Sequence, residues 1–496
     1  VLSAPTAHGQ METAERQPSE AASGILSLLP SDATTYHVLK TAAGDLSYKA
    51  TAGTLDLVGQ DGLISAKVFY TAYVVPKDGQ ERPLTFVFNG GPGAASAYLH
   101  LGLVGPRIVD FGADGSGTTP TLKDNPQSWL AFTDLVIIDP VGTGWSRAAT
   151  REAEKNFYGV NQDAESLAKV ISLYVRHNDR LESPKYLLGE SYGGFRAAKV
   201  AMALRNSQGI LVSGVIMLSP MIEGGLLFGA NNYPLGAALQ LPSLVAGELE
   251  RKNRFSASAV ADAEQFAMSD YLVSLAGPAP SGDKAQAFYE RLSAMTGIAV
   301  ADIARTRGFL GDIYSKASSG KNHIVSPYDA GFVAPDPNPE LGYDHSDDPV
   351  LDGFTRAYGS VFASYARSEL GFACDMTYTL LSMEVNRAWD WNGTRQAASR
   401  VSPRCQAASA SDDIRSLLAT IPTFQLMIAH GYSDALTPFG ASRYILDHLP
   451  AELAAGRARL KVYRGGHMFY TSDNSRQALS ADARAFYQLR AASINE

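Results

Sequence analysis

Short runs of consecutive apolar residues that end abruptly at glycine, proline or a polar turn are the feature that most restricts how this chain can fold. The clearest are LTFVF at 84–88, LVII at 135–138, YLL at 186–188 and VIML at 215–218, and residues 67–75 alternate. Strands buried on both faces have such continuous apolar stretches, because helices cover both sides of a parallel sheet. The pattern therefore predicts the strands of a mostly parallel sheet.

Helical patterns lie between some of these runs. Apolar positions in residues 160–175 follow one face of a helix, and residues 195–204 (FRAAKVAMAL) also have a helical pattern. Alternation of strand, turn and helix predicts a doubly wound α/β sheet. The strand pattern resumes late in the chain, with FQLMIA at 424–429 and LKVY at 460–463.

Between these two parts the pattern changes to helical segments and loops. The simplest account is a core sheet interrupted by a large, mainly helical insertion, which would form a lid because sites in α/β sheets lie at the carboxyl ends of the strands. The predicted division is an N-terminal arm over 1–45, a core over 46–222 and 413–496, and the lid over 223–412.

Composition restricts the partners. The 496 residues include 42 Lys and Arg against 50 Asp and Glu, a net charge of −8, and no basic run compensates. Nucleic acid is not an expected partner, because phosphate neutralisation needs clustered cations. The longest weakly charged stretch, 210–246, is interrupted by Glu223, glycines and prolines, so no membrane span is expected. Neither a metal nor another cofactor is indicated, and the oligomeric state is left open.

The best candidate nucleophile is Ser191. It lies in GESYG at 189–193, a G-x-S-x-G motif between a predicted strand and a predicted helix. In an α/β-hydrolase fold this sharp turn pushes the serine into the cleft, and small residues two places before and after it permit the turn. The alternative is a glycine-rich loop with an inert serine.

A serine hydroxyl needs a base, and the order in this fold is serine, acid, histidine. Asp434 and His467 each follow a predicted late strand, so they are the candidate acid and base. His430 is disfavoured as the base because it precedes Asp434, and His448 is a weaker rival. Asp473 is the weaker candidate acid, because it follows His467.

The glycine-rich segment NGGPG at 89–93 follows an early predicted strand. Acyl transfer requires preorganised donors for the developing oxyanion, and glycines let backbone N–H groups turn into a cleft. In this fold the other donor is the amide after the nucleophile, here that of Tyr192. The alternative for 89–93 is a plain tight turn.

Five motifs occur in one order: NGGPG at 89–93 (with Ser96 after it), DPVGTGWS at 139–146, GESYGG at 189–194, GYSDALTP at 431–438 and GGHM at 465–468. Together they resemble the serine carboxypeptidase family, most closely its bacterial branch. The resemblance implies an enzyme that releases C-terminal residues from peptides through an acyl-enzyme on Ser191, best at acid pH. It also suggests export, to the periplasm or out of the cell, which a chain that begins at Val1 without methionine would fit if a signal peptide had been removed.

The resemblance also implies binding roles. Asn89, Glu190 and the Gly90 amide would hold the terminal carboxylate of the peptide, and the Gly91 and Tyr192 amides would form the oxyanion hole. Glu190 beside a carboxylate places two like charges together, so one of them must carry a proton. Binding is therefore expected to weaken as Glu190 ionises.

Departures from the family pattern leave alternatives open. Ala94 stands where the family usually has a disulfide-bonded cysteine. The chain's two cysteines, Cys374 and Cys405, could remain reduced thiols or form one disulfide, and pairing is the expectation. An acyltransferase or esterase on the same scaffold is one alternative, and a non-catalytic protective or scaffolding member is another. Asn89 and Glu190 favour the peptidase, because an ester acyl donor has no terminal carboxylate.

Overall fold

The computed structural model describes residues 24–76, 79, 81–342, 347–391 and 408–493, with side chains to 489. Its strands are β1 (Ala33–Thr41), β2 (Gly44–Val58), β3 (Ile64–Val74), β4 (Leu84–Phe88), β5 (Arg107–Asp110), β6 (Thr121–Asp124), β7 (Asp134–Ile138), β8 (Arg147–Ala148), β9 (Lys185–Glu190), β10 (Gly214–Leu218), β11 (His323–Val325), β12 (Val333–Pro335), β13 (Gln425–Gly431) and β14 (Ala458–Tyr463).

The helices in the same ranges are α1 (Ala97–Leu99), α2 (Arg151–Glu154), α3 (Val160–His177), α4 (Tyr192–Ala203), α5 (Gly224–Leu227), α6 (Pro234–Arg251), α7 (Ala257–Phe266), α8 (Leu272–Ala276), α9 (Gly282–Thr296), α10 (Val300–Arg305), α11 (Tyr314–Ala317), α12 (Ala357–Ser368), α13 (Met383–Ala388), α14 (Ser411–Thr420), α15 (Phe439–Asp447), α16 (Ala451–Ala454) and α17 (Asp473–Ser493). None of them is long and apolar enough to cross a bilayer.

A ten-stranded sheet organises the molecule. Its order is β1-β2-β3-β7-β4-β9-β10-β13-β14, with β8 paired to β3. The strands from β7 to β14 run parallel, whereas β1, β2 and β3 are antiparallel to their neighbours. The carboxyl ends of β4, β9, β10, β13 and β14 therefore meet at one edge of the sheet, which is where the polar turns of the sequence lie.

Burial explains why the central strands are apolar throughout. Every residue of β4, β7, β9 and β10 is buried. One apolar layer packs α3, α4 and α14 on one face of the sheet, and a second layer, which includes residues of α1, α12 and α17, covers the other. The predicted doubly wound, mostly parallel α/β sheet is confirmed.

Helices predominate between β10 and β13. The segment runs from α5 to α14 and contains one two-stranded sheet, β11-β12. A separate apolar cluster, which includes residues of α6, α7 and α9, forms its own core there. The proposed boundaries of the arm, core and lid stay predictions.

The strands that the sequence analysis did not predict include β1 and β2. β1 lies within the stretch expected to be an arm, and β2 follows it directly. They form a long antiparallel hairpin at the sheet edge, where one side is exposed. Their residues therefore lack the continuous apolar runs that identified the central strands. Cys374 is buried; Cys405 lies outside the described residues, so the expected pairing stays a prediction.

Candidate active site

Ser191 lies at the turn between β9 and α4. Its φ is 61° and its ψ is −126°, a backbone conformation that costs energy for a residue with a Cβ. The Ser191 N–H donates to the carbonyl of Leu218 at 2.9 Å, and its own carbonyl accepts the N–H of Met221 at 3.1 Å. The adjacent strand β10 and the turn after it therefore hold the serine in this conformation.

Glycines flank the serine because other chain segments approach too closely for a side chain. A Cβ at Gly189 would overlap the carbonyl of Gly193. One at Gly193 would lie 2.7 Å from the carbonyl oxygen of Phe88 in the neighbouring strand. The predicted requirement for small residues on either side of Ser191 thus has a direct steric cause.

Asp434 and His467 lie on loops that follow β13 and β14, as predicted. His467 Nδ1 and Asp434 Oδ2 are 2.9 Å apart, and both side chains are buried. The other carboxylate oxygen of Asp434, Oδ1, accepts the N–H groups of Leu436 at 3.0 Å and Thr437 at 2.9 Å. This arrangement fixes the carboxylate so that it can orient the imidazole ring.

Three residues that sequence reasoning missed hold this pair. The Thr437 hydroxyl donates to Asp434 Oδ2 at 2.7 Å and lies 3.0 Å from His467 Nδ1. The Ser219 hydroxyl donates to the carbonyl of His467 at 2.8 Å. The His467 N–H donates to the carbonyl of Tyr328 at 2.5 Å, and the Tyr328 ring stands edge-on to the imidazole.

Only part of this support had a signal in the sequence. Thr437 lies in the motif that carries Asp434, and Ser219 follows a predicted strand directly. Tyr328 lies in the segment between β11 and β12, far from His467 along the chain. Its contact with His467 depends on how that segment packs.

The rival residues lie elsewhere. His430 is buried, its Nε2 is 2.8 Å from the Ser442 hydroxyl, and burial lowers its pKa to about 4. His448 is exposed at the end of α15. Asp473 is exposed and pairs with Arg476. None of the three candidates is among the described residues that line the cavity containing Ser191 and His467.

That cavity has a volume of about 210 Å³. The predicted nucleophile, base, oxyanion donors and carboxylate-binding residues all line it. Its described lining consists of Asn89, Gly90, Gly91, Ala94, Tyr98, Glu190, Ser191, Tyr192, Met221, Phe228, Tyr328, Leu351, Leu381, Leu436, Thr437, His467 and Met468. Within the described residues, no cluster of His, Cys, Asp and Glu side chains is arranged to hold a metal ion.

The loop at 89–93 packs directly on the serine turn. A Cβ at Gly90 would lie 2.6 Å from the backbone nitrogen of Tyr192, and Gly91 has a φ of 99°. Among the described loops, the Gly91 N–H has no backbone carbonyl as an acceptor. The Tyr192 N–H lies in the first turn of α4, where N–H groups lack intrahelical partners. Gly91 and Tyr192 line the cavity together with Ser191, and their role as oxyanion donors stays a prediction.

Asn89 and Glu190 form a buried pair beside Ser191. The Asn89 amide donates to Glu190 Oε2, and its Oδ1 accepts the N–H of Leu99 at 3.0 Å. The Tyr470 hydroxyl is a further hydrogen-bond partner of the Glu190 carboxyl. Asn89 and Tyr470 thus hold this buried carboxyl at the wall of the cavity.

Burial raises the pKa of Glu190 from its ordinary 4.5 to about 7, although the positive field of His467 and hydrogen bonds from Tyr470 and Asn89 oppose this. Burial alone would lower the pKa of His467. The charge and hydrogen bond of Asp434, with the nearby Glu190, outweigh burial, so the pKa of His467 is raised. The site therefore contains an acid that keeps its proton to near neutral pH and a base that gains one readily.

The sheet order and the serine turn together define an α/β-hydrolase fold. Residues 44–223 match the family model of the serine carboxypeptidases, so this core segment is similar to that family. The solved structure of the prohormone-processing carboxypeptidase Kex1 from Saccharomyces cerevisiae has a similar fold. Its TM-score is 0.55 at 15% identity, over 89% of this chain and 91% of that one.

Two curated relatives illustrate the sequence similarity. Serine carboxypeptidase-like 29 from Arabidopsis thaliana is 29% identical over 164 residues, 32% of this chain and 33% of the relative. The pheromone-processing carboxypeptidase KEX1 from Yarrowia lipolytica is 32% identical over 157 residues, 31% of this chain and 23% of the relative. The matched stretch thus spans a third or less of the length of these relatives.

The raised pKa of Glu190 predicts a pH-dependent cost to folding. A protein loses stability through an acid whose pKa is higher in the folded state. The loss occurs as pH rises from the pKa of that acid in the unfolded state to its pKa in the folded state. We compare the free energy of unfolding of Glu190→Gln with that of the wild type at the same pH. This difference should be about 3 kcal/mol more in favour of the variant at pH 8 than at pH 4. Chemical unfolding at both pH values measures this difference. A difference between Glu190→Gln and the wild type that is the same at both pH values would contradict the raised pKa.

Proposed function

We propose that the protein is a serine-type carboxypeptidase, which releases the C-terminal residue of peptides through an acyl-enzyme on Ser191. The observation that carries the proposal is the buried pair of Asn89 and Glu190, which lines the same cavity as Ser191 and His467. A hydrolase that acted on internal bonds or simple esters would have no use for a carboxylate-binding acid at this point.

In the proposed reaction, His467 takes the proton of the Ser191 hydroxyl as its oxygen attacks the scissile carbonyl carbon. The Gly91 and Tyr192 N–H groups stabilise the oxyanion that forms. His467 then gives its proton to the leaving amine, so the C–N bond breaks and the terminal amino acid departs. A water molecule attacks the acyl-enzyme by the same steps, which releases the shortened peptide and restores the Ser191 hydroxyl.

The terminal carboxylate would lie against Glu190, the Asn89 amide and the Gly90 N–H. With its proton in place, Glu190 donates a hydrogen bond to the carboxylate. Once ionised, it would repel the substrate in a buried site, where charges interact strongly. The raised pKa of Glu190 suits this role, because the acid stays protonated until near neutral pH.

The rest of the cavity favours apolar side chains. Lid and core supply the apolar and aromatic lining residues Ala94, Tyr98, Met221, Phe228, Tyr328, Leu351, Leu381, Leu436 and Met468. Glu190 and His467 are the only Asp, Glu, Lys, Arg or His side chains in the described lining. A charged substrate side chain would lose its hydration here without gaining a partner. We therefore propose that the residues on either side of the cleaved bond are apolar.

Export to the periplasm or out of the cell stays a prediction.

The first prediction concerns the substrate terminus. At about pH 5 the protein should cleave N-blocked dipeptides with a free C-terminal carboxylate and leave their C-terminally amidated twins intact, as followed by release of the terminal residue. Ser191→Ala, the control, should cleave neither. Equal cleavage of acids and amides would contradict the roles of Asn89 and Glu190 but keep Ser191 as the nucleophile.

The second prediction concerns pH. For free-acid dipeptides, kcat/KM should fall about tenfold for each pH unit above about 7, because only protonated Glu190 binds the carboxylate. Glu190→Gln, which is neutral at every pH, should lose this alkaline decline. Hydrolysis of p-nitrophenyl acetate, which has no carboxylate to bind, is the matched control and should show no such decline. An alkaline limb that survives in Glu190→Gln would refute the assignment.

The third prediction concerns side chains. In a series of blocked dipeptides that differ only in the terminal residue, Leu and Phe should exceed Lys and Glu in kcat/KM by at least about tenfold, since an unpaired charge is costly to bury. The same order should hold when the penultimate residue is varied. A preference for Lys or Arg at either place would show that the proposed apolar lining does not set specificity.

A further inference from the structure

A buried ion pair lies directly behind the loop that carries Asn89. On α4, one turn beyond Ser191, Arg196 is 1% exposed, and its Nε donates to Asp163 Oδ2 of α3 at 2.6 Å. Its Nη1 donates to the backbone carbonyl of Asn89. The guanidinium also lies over the ring of Tyr192, 5.0 Å from its centroid. One side chain thus joins α3, the helix of the nucleophile and the predicted carboxylate-binding loop.

The contact with Asn89 determines where the next N–H points. The peptide bond between Asn89 and Gly90 is trans. In a planar trans peptide the C=O and the following N–H point in opposite directions. Because Arg196 holds the Asn89 carbonyl toward α4, the Gly90 N–H is turned away from α4. Gly90 lines the cavity, and among the described backbone contacts its N–H has no carbonyl acceptor.

We infer that Arg196, held by Asp163, is a positioning residue that orients the Gly90 N–H toward the carboxylate of the substrate. The inference rests on the proposed function, because that function supplies the carboxylate. Arg196 does not line the cavity, so it acts through the Asn89–Gly90 peptide and not by touching the substrate. Without it, the peptide could rotate and replace the N–H with a carbonyl, which would repel a carboxylate.

Arginine suits this role better than lysine. The planar guanidinium donates in two fixed directions, here to the Asp163 carboxylate and to the Asn89 carbonyl. A lysine ammonium is a compact point charge on a flexible stem, so it can keep the ion pair but fixes the direction of a second hydrogen bond less well. Arg196→Lys keeps the positive charge but lacks the two fixed donor directions. This variant should therefore show whether the charge alone is enough.

The test measures binding, so it does not depend on peptide cleavage. In a Ser191→Ala background, titration calorimetry at pH 5 would compare N-acetyl-phenylalanine with its amide. Arg196→Met combined with Asp163→Leu removes both charges together and leaves no buried charge unpaired. We expect this variant to bind the acid about tenfold more weakly, a loss of about 1.4 kcal/mol, with the affinity for the amide unchanged. The affinity of Arg196→Lys for the acid should lie between that of the Ser191→Ala protein and that of the double variant.

The matched control is Arg180→Met. Arg180 and Asp134 form an equally buried pair with a separation of 2.9 Å, at the opposite, amino-terminal end of β7. Asp134 keeps Arg82 as a second partner at 2.9 Å. This control should not change the affinity for either ligand.

The possible outcomes separate the inference from the proposed function. If the acid and the amide weaken in parallel in the Arg196 variants, or if neither changes, Arg196 does not orient the Gly90 N–H. If the protein with Ser191→Ala does not prefer the acid at all, the carboxylate site itself is wrong and the inference fails with it. If the binding pattern appears but the intact enzyme cleaves no peptide, the inference stands and the carboxypeptidase proposal fails.

Discussion

The close backbone contact between two glycine turns is the constraint on which the candidate site depends. β4 and β9 are parallel neighbours, with Phe88 paired to Gly189 at their carboxyl ends. The chain leaves both strands at this point, so the loop after β4 and the serine turn after β9 must share one small space. A Cβ at Gly90 or Gly193 would lie within 3 Å of the opposing backbone. The same closeness that excludes side chains brings Gly91, Ser191 and Tyr192 to the wall of one cavity.

Asp434 and Glu190, the two buried carboxyl groups beside His467 and Ser191, have different hydrogen-bond partners. Asp434 accepts bonds from two backbone N–H groups and the Thr437 hydroxyl, and it also lies against His467. These donors fix the Asp434 carboxyl in place against the imidazole ring. Glu190 has only the Asn89 amide and the Tyr470 hydroxyl as partners, and burial raises its pKa to about 7, so it keeps its proton until near neutral pH. Similar acids can thus take opposite roles, one orienting the base and one facing an anionic ligand.

Local patterns in the sequence predicted much of the fold and of the candidate site. The central strands are buried on both faces, so their apolar runs are unambiguous, and the proposed nucleophile, acid and base each follow such a run. The hairpin of β1 and β2 was missed because an exposed edge strand carries no continuous apolar run. Arg196, Tyr328 and Ser219 were missed for another reason. Their roles depend on contacts between segments distant in sequence, and an arginine within a helix pattern gives no sign that it holds a carbonyl in the loop after β4.

The segment between β11 and β12 contacts the loops of both the candidate acid and the candidate base. In addition to the bond between the His467 N–H and the Tyr328 carbonyl, Ala330 N–H donates to Ser433 at 2.8 Å and Ala435 N–H to Pro327 at 3.1 Å. These three backbone bonds fasten the segment between β11 and β12 to the loops of Asp434 and His467. Any movement of this segment away from the sheet would break these bonds and so disturb the loops that carry the candidate acid and base.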